Sequence, residues 1–397
     1  MFSKLILIIL LSYFSYCDIL SKTNNQKNNT IGANFKRIKS NTPNKNTKYV
    51  SPYGKSNLCS KQNPCKLETV VNMLNPGDIV FLRGGKYRLN KRLNIHKNHS
   101  GTKDNPIIIE SYPGEYAIID GEQTTKSVTK NNSDIYIVIW ANYIHLRKLE
   151  IKNMSRNGVL IGGSNNVIEG CTIHANHQSG IKLYDTKNGL NAPFAYGYNT
   201  IKNNIIFNNS DINISFDGYN NGANADGISV SSGKYNIITN NTIYGNSDDG
   251  IDTWLSNNTE VSYNIVYNNG GGNGDGNGIK LGGNIDKNSK NGLKAYAHHN
   301  IAFKNHSHGF NGNAGKQIRV LFNTSYKNSR EGFGNLLTDS ILSYNVSLDN
   351  KIAQKKTKLE QNNSWQTNIK IKPISTNYKS DNFLKLKKIN SIGAYAK

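Results

Sequence analysis

Strong helix formers, acidic residues and long apolar runs are all scarce in this sequence of 397 residues. The shortage of helix formers, beside abundant Asn and Gly, excludes a helical bundle. Only one long apolar run occurs, which excludes a membrane protein with several spans. Clusters of Ile, Val, Leu, Phe and Tyr nevertheless recur regularly, so the chain is not disordered throughout.

Acidic residues are outnumbered by basic ones, 26 Asp and Glu against 48 Lys and Arg, which gives a net charge of +22. Such a charge indicates a polyanionic partner or a compositional bias of the genome. A nucleic acid is not expected, because the basic residues form no patch interleaved with aromatics and no known binding motif. An acidic polysaccharide fits the charge equally well.

The two ends of the chain differ from its middle. Residues 1–17 have one Lys followed by a short apolar run, as in a signal peptide, so we expect a secreted protein without a stable membrane span. Residues 18–48 are Asn- and Lys-rich and predict a disordered leader. Residues 350–397 are again Lys-rich, but Trp365 and Phe383 indicate a segment that packs on the preceding domain, 49–349.

The cysteines are expected to have structural roles. Cys59 and Cys65 lie six residues apart in a polar loop, and in an oxidising compartment they are expected to pair. Cys171 lies in an apolar alternating stretch and is expected to be a small buried residue. No spacing of Cys and His resembles a zinc site.

A repeat occupies the middle of the chain, marked by a Gly that precedes an apolar residue. The intervals are 22 residues from Gly158 to Gly180 and 23 both from Gly227 to Gly250 and from Gly309 to Gly332. The interval of 47 from Gly180 to Gly227 could hold two units. An Asn stands four residues before the Gly in several units, namely Asn176, Asn246, Asn305 and Asn328.

Each repeat is interpreted as strand, Asn turn, strand and Gly turn. Short strands at a fixed period in the twenties indicate a solenoid, and the regular Leu positions of leucine-rich repeats are absent. We therefore predict an all-β parallel β-helix in which the recurrent Asn forms a side-chain ladder. Residues 66–75 have apolar side chains at helical spacing and predict an N-terminal cap helix.

Alignment on the Gly places acidic residues of successive coils side by side. Asp226 and Asp249 both immediately precede the Gly, so they are expected about 5 Å apart. Asp248 and Asp252 flank the second of them. Four carboxylates so close repel one another, and a hard cation such as Ca²⁺ would hold them together.

Lys280 occupies the position of Asp252 one coil later and is flanked by Ile279 and Leu281, which are expected to point inward. Its amine then projects from the surface beside the carboxylates. A nearby cation would lower the pKa of this lysine and make a neutral amine base accessible. Asp275, in the same Gly-rich loop, is interpreted as a turn residue.

Three motifs, NADG at 224–227, NSDDGID at 246–252 and GNGIKLGG at 276–283, resemble those of the pectate lyases of polysaccharide lyase family nine. The resemblance spans roughly 50–345 and includes PGDIVFLRGGKY. It implies a right-handed parallel β-helix, Ca²⁺ bound by Asp226, Asp248, Asp249 and Asp252, and Lys280 as general base. Near Asp226 the sequence ANADG lacks an acidic residue that some relatives would have there.

The resemblance further implies a monomeric lyase that cleaves polygalacturonate by β-elimination. Lys182, Lys316, Arg319 and Arg330 are candidates for binding substrate carboxylates. Three alternatives on the same fold remain open. They are a polygalacturonase-like glycoside hydrolase, a lyase for alginate or a glycosaminoglycan, and a non-catalytic polysaccharide-binding β-helix with structural calcium.

Overall fold

The computed structural model describes residues 46–184, 196–216, 218–283, 293–336, 339–354, 359–367, 371–386 and 391–396. The predicted signal peptide, residues 1–17, lies outside these ranges. Residues 18–45 of the predicted leader also lie outside them. Within the described ranges, no helix is both long and apolar enough to cross a membrane.

The chain winds through three parallel sheets, and each of ten complete coils contributes one strand to every sheet, while β1 and β32 add to the first sheet alone. Sheet 1 has twelve strands. In order along the sheet they are β1 (Thr47–Val50), β2 (Ile79–Leu82), β5 (Ile107–Ser111), β8 (Ile144–Arg147), β11 (Val167–Glu169), β14 (Thr200–Lys202), β17 (Ile237–Thr239), β20 (Thr259–Ser262), β23 (Ala295–His298), β26 (Arg319–Leu321), β29 (Ile341–Ser343) and β32 (Leu359–Gln361).

Sheets 2 and 3 have ten strands each. Sheet 2 contains β3 (Gly85–Arg88), β6 (Ala117–Asp120), β9 (Glu150–Lys152), β12 (Thr172–His174), β15 (Ile205–Phe207), β18 (Thr242–Tyr244), β21 (Ile265–Tyr267), β24 (Ile301–Phe303), β27 (Thr324–Tyr326) and β30 (Val346–Leu348). Sheet 3 contains β4 (Leu93–Ile95), β7 (Ile137–Ile139), β10 (Val159–Ile161), β13 (Ile181–Leu183), β16 (Ile228–Val230), β19 (Ile251–Asp252), β22 (Ile279–Leu281), β25 (Phe310–Gly312), β28 (Glu331–Gly334) and β31 (Ile352–Gln354).

This architecture is a parallel β-helix, but two details of the predicted repeat are wrong. A coil has three strands rather than two, because the residues after each Gly form sheet 3. The interval of 47 residues is one coil with insertions, since Lys182 of β13 pairs directly with Ser229 of β16. The stack also continues past residue 349, where β31 and β32 follow.

The predicted N-terminal cap helix over 66–75 is not confirmed. The only helix of the α type in the described residues is α1, the single turn Leu67–Val70, and it follows β1 rather than preceding the first coil. Short 3-10 helices occur at Lys97–His99, Lys130–Asn132 and Ser364–Gln366. Cys59 and Cys65 are joined by a disulfide bond just before α1, and Cys171 is buried without one.

The core is built from stacked aliphatic columns that point inward from the three sheets. In sheet 3 one column contains Ile181, Ile228, Ile251 and Ile279, which pair in register and are fully buried. Each such side chain contributes about 1.5–3 kcal/mol by leaving water. Gly250 precedes its strand because a Cβ there would lie 2.2 Å from Cγ1 of Val266. This close approach explains the Gly that marks the repeat.

Buried asparagine ladders connect the coils at their turns. The predicted ladder exists, and it runs through Asn176, Asn209, Asn246, Asn269, Asn305, Asn328 and Asn350. A second ladder joins sheets 1 and 2 and contains Asn204, Asn241, Asn264, Asn300, Asn323, Asn345 and Asn363. The preceding residue has a positive φ, as at Asn203 and Asn240, a conformation that Asn tolerates. The frequent Asn pairs therefore have a structural cause.

We expect Asn264→Ala to reduce the free energy of unfolding by about 3 kcal/mol, because it leaves several buried polar groups unpaired. The Asn264 side chain donates to Ile238 O at 2.9 Å, and its oxygen accepts from the Asn241 main-chain N at 3.0 Å. Denaturant titration measures the change. The matched control is Asn240→Gly, at an exposed position of positive φ, which should shift the value by no more than about 0.5 kcal/mol. Equal effects would contradict the ladder argument.

Aromatic rings stack at the turns between sheets 1 and 2. The rings of Tyr263, His299, Phe322 and Tyr344 have centroids 4.9, 5.2 and 4.8 Å apart in succession. All four residues have a positive φ. Burial, together with the charge of His298, lowers the pKa of His299 to about 4.

This histidine predicts a pH dependence of stability. Because its pKa is lower in the folded than in the unfolded chain, its contribution is complete above about pH 6.5 and is lost as the pH falls towards 4. His299→Tyr keeps the stack and removes the titration. Between pH 7 and 5 the variant should lose about 1 kcal/mol less unfolding free energy than the wild type, after allowance for partial exposure. Parallel stability profiles would contradict this assignment.

The C-terminal segment covers part of sheet 2. Phe383 and Leu384 are buried against the outward-facing Phe303 and Ile301 of β24. Farther along, the Ala394 main-chain N donates to Thr324 Oγ1 at 2.9 Å. The segment therefore packs along sheet 2. The predicted acidic residues lie at a different sheet, sheet 3.

Candidate active site and metal centre

Acidic side chains meet on the outer face of sheet 3 and in the turn that leads into it. Asp226, Asp249 and Asp252 each offer a carboxylate oxygen within 4.8 Å of the other two. Two features of the coil position them. Asp226 and Asp249 precede the glycines of successive coils, while Asp252 lies on β19 with its side chain turned away from the core.

Asp248, the fourth predicted ligand, belongs to the same region but is not a member of this group of three. Its Oδ1 accepts a hydrogen bond from the Asp275 main-chain N at 2.8 Å. Gly274 is required beside it, because a Cβ there would lie 2.3 Å from Asp248 Oδ1. Asp248 therefore fixes the Gly-rich loop 270–276 against the acidic group.

Lys280 lies directly beside the carboxylates, as its register predicts. It pairs with Asp252 across β19 and β22, and its side chain points outward between the buried Ile279 and Leu281. Its Nζ is 3.3 Å from both Asp249 Oδ2 and Asp252 Oδ2. A shorter contact of 2.7 Å joins it to Asp275 Oδ2. Asp275 thus contacts Lys280, although the sequence interpretation made it only a turn residue. The sequence signal was its position five residues before Lys280.

Burial and mutual repulsion raise the pKa of all four predicted calcium ligands. Desolvation is the largest cause for Asp226, Asp248, Asp249 and Asp252, and repulsion between neighbouring carboxylates adds to it. Nearby carboxylates dominate the pKa of Lys280. Burial alone would lower the pKa of Lys280, but attraction to Asp252 and Asp249 outweighs burial and raises it. The lowering predicted for this pKa depends on a bound cation and stays a prediction.

The donor set fits a hard cation. Two oxygens that share an ion at about 2.4 Å are at most about 4.8 Å apart, and the three carboxylates meet that limit. Asp252 Oδ1 and Asp249 Oδ2 are buried and accept no hydrogen bond from the described residues, although Lys280 Nζ lies 3.3 Å from Asp249 Oδ2. Buried carboxylate oxygens without donors are costly unless a cation contacts them.

The four predicted substrate-binding residues do not share one place. Lys182 is close enough to Asp226 and Asp252 for their charges to raise its pKa, although burial, the larger cause, lowers it. Arg330 is exposed in the turn before β28, also at sheet 3. Lys316 lies in the turn after β25, where its main-chain N donates to Leu293 O.

Arg319 is the one of these four residues that lies on a strand of sheet 1. It lies on β26 of sheet 1, where its guanidinium is 5.1 Å from the centre of the Tyr296 ring. Arg319 therefore lies on a different sheet from the acidic residues, and its role in binding substrate stays a prediction.

Comparisons with known proteins identify the family to which this chain belongs. The family model described as a Pel9A-like right-handed β-helix region matches residues 48–363. Pectate lyase L of Paenibacillus polymyxa (strain SC2) is 30% identical over 347 residues, which cover 81% of this chain and 72% of that protein. Pectate lyase PEL9 of Emericella nidulans is 29% identical over 357 residues, with 80% and 82% covered.

Among solved structures, the crystal structure of pectate lyase Pel9A matches with a TM-score of 0.71 and 23% identity. The match covers 90% of this chain and 98% of that chain, and at this identity it supports the fold alone. The right-handed parallel β-helix expected from the sequence is confirmed. The chain therefore belongs to the Pel9A-like right-handed β-helix family and is a polysaccharide lyase.

Proposed function

We propose that this polysaccharide lyase is a secreted, calcium-dependent pectate lyase that cleaves polygalacturonate by β-elimination with Lys280 as the base. The observation that carries the proposal is the position of the Lys280 amine, 3.3 Å from two carboxylates that belong to a compact oxygen donor set. Pectate lyases among the relatives support the choice of substrate. The excess of basic residues suits an anionic polymer.

In this proposal Asp226, Asp249 and Asp252 hold Ca²⁺, and Asp248 lies close enough to support them. Bound calcium would supply positive charge that neutralises a uronate carboxylate and acidifies the C5 proton. Bound calcium would also neutralise the charge of the aspartates, which removes the attraction that raises the pKa of Lys280. Burial then favours the neutral amine of Lys280, the form that a base requires.

The protein groups have defined tasks in the reaction. The Lys280 lone pair takes the C5 proton, and the C5–H electrons form a double bond between C5 and C4. The C4–O bond breaks with its electron pair, and the leaving oxygen is protonated from solvent. Lys182 and Arg330 lie at sheet 3, where their positive charges suit neighbouring uronate carboxylates. No water is added to the glycosidic bond, and one product has an unsaturated non-reducing end.

The test is an assay on polygalacturonate at alkaline pH, with and without Ca²⁺. We expect ultraviolet absorbance from the unsaturated product in the presence of calcium and none with a chelator. A rise in reducing sugar without this absorbance would instead indicate a glycoside hydrolase. Activity confined to alginate or a glycosaminoglycan would contradict the substrate, and polymer binding without turnover would indicate a binding protein.

A further inference from the structure

A column of buried polar side chains continues past the acidic group at the position just before each coil's Gly. Main-chain N–H groups connect the column. Asp249 N donates to Asp226 Oδ1 at 3.2 Å, and Asn277 N donates to Asp249 Oδ1 at 2.6 Å. The next two members are His308 and Glu331, and both are buried. The proposed reaction assigns no role to Asn277, His308 or Glu331.

The orientation of the Asn277 amide follows from its two neighbours. The ionised carboxylate of Asp249, the form that would bind a cation, only accepts, so the group 2.9 Å from its Oδ1 is the Asn277 Nδ2 donor. On the other side, the His308 main-chain N–H only donates, and it lies 3.3 Å from Asn277 Oδ1. The amide oxygen therefore faces His308, and the amide nitrogen faces Asp249.

The same reasoning fixes the proton on the His308 ring. Its Nδ1 is 2.9 Å from Asn277 Oδ1, which only accepts, and 3.1 Å from Ser307 Oγ, which can accept as well as donate, so a hydrogen on Nδ1 satisfies both contacts. The opposite nitrogen, Nε2, is 2.6 Å from Glu331 Oε2. A Cβ at Gly334 would lie 2.3 Å from His308 Cδ2, so the ring packs closely against that backbone.

We propose that Asn277, His308 and Glu331 form a hydrogen-bonded relay that positions the Asp249 carboxylate for cation binding. The relay engages Asp249 Oδ1 from one side and leaves Oδ2 directed at the acidic group, where it accepts no hydrogen bond from the described residues and lies 3.3 Å from Lys280 Nζ. These are positioning residues that act through Asp249. The inference rests on the proposed function, because it assumes that the group binds calcium.

The experiment compares two double variants that differ only at the ring position. His308→Asn/Glu331→Gln keeps a hydrogen-bond donor at the position of His308 Nδ1, because the side-chain amide of Asn occupies that position. His308→Leu/Glu331→Gln removes the donor. Both lack the Glu331 charge, so neither leaves a buried carboxylate without a partner. Calcium affinity is measured by titration calorimetry on the wild type, on Glu331→Gln and on both double variants.

We expect the Asn variant to bind Ca²⁺ within about threefold of Glu331→Gln, and the Leu variant to bind at least about tenfold more weakly. Thermal unfolding in chelator reports whether each variant is folded. If the Leu variant does not fold, His308→Gln/Glu331→Gln replaces it, because Gln places its amide at the Nε2 position and leaves none at Nδ1.

The outcomes separate the two proposals. If the wild type binds calcium and the folded variants with and without the donor bind it equally, the relay is wrong while the calcium site stands. If the wild type binds no calcium, both the site and the relay are overturned. A selective loss in the variant without the donor supports the relay, since a general packing defect would also affect the Asn variant.

Discussion

Lys280→Ala is expected to lower turnover of polygalacturonate by about a thousandfold, the scale that a general base contributes. The reason is geometric, because Lys280 is the amine that contacts Asp249 and Asp252 on the outer face of sheet 3. The change leaves the calcium ligands in place, so substrate binding should remain largely intact. Initial rates of ultraviolet absorbance give turnover, and binding of the polymer is measured separately.

A second variant distinguishes proton removal from simple charge. Lys280→Arg keeps a positive side chain, but a guanidinium stays protonated at any pH at which the protein is folded. If Lys280 is the base, the Arg variant should be as inactive as the Ala variant. Lys103→Ala, at an exposed position, serves as the control and should retain full activity. Substantial activity of Lys280→Arg would show that its charge, and not its lone pair, is what the reaction needs.

The sequence predicted the part of the site that lies in one register. Each coil repeats the same Gly, so residues at equal distance from it stack, and Asp226, Asp249, Asp252 and Lys280 meet accordingly. The Asn ladder was predictable for the same reason, since it depends on position within the coil alone. In a β-helix, the residues that pair between neighbouring strands can therefore be predicted from the repeat in the sequence.

Interactions across insertions could not be obtained in this way. Asp275 lies in a loop that has no counterpart in most coils, so no register locates its carboxylate 2.7 Å from Lys280. The third strand of each coil was missed because it has only about three residues, of which one points outward. So short a strand shows almost no alternation of apolar and polar residues. The raised pKa of Lys280 depends on the balance between burial and nearby charge, which needs distances that the repeat does not supply.

Calcium is expected to stabilise the wild type against unfolding, and chelation should reverse the effect. At a free concentration a hundredfold above the dissociation constant, binding to the folded state alone adds about 2.7 kcal/mol. Asp249→Asn should remove this stabilisation and abolish turnover, because it deletes the charge of one of the three carboxylates in the donor set. Thermal unfolding with calcium or chelator measures the shift. Asp104→Asn, the same change at an exposed position, is the control and should respond like the wild type.

The size of the calcium effect should also depend on pH, with a definite sign. The pKa values of Asp226, Asp249 and Asp252 are raised by burial and repulsion, so protons stabilise the folded state at low pH. That contribution is lost as the pH rises through the raised pKa values, and the carboxylates are left ionised and close together. Calcium competes with these protons and relieves the repulsion, so its stabilising shift should be larger at pH 9 than at pH 5. A shift that is equal at both values, or one that survives in Asp249→Asn, would place the bound calcium elsewhere on the molecule.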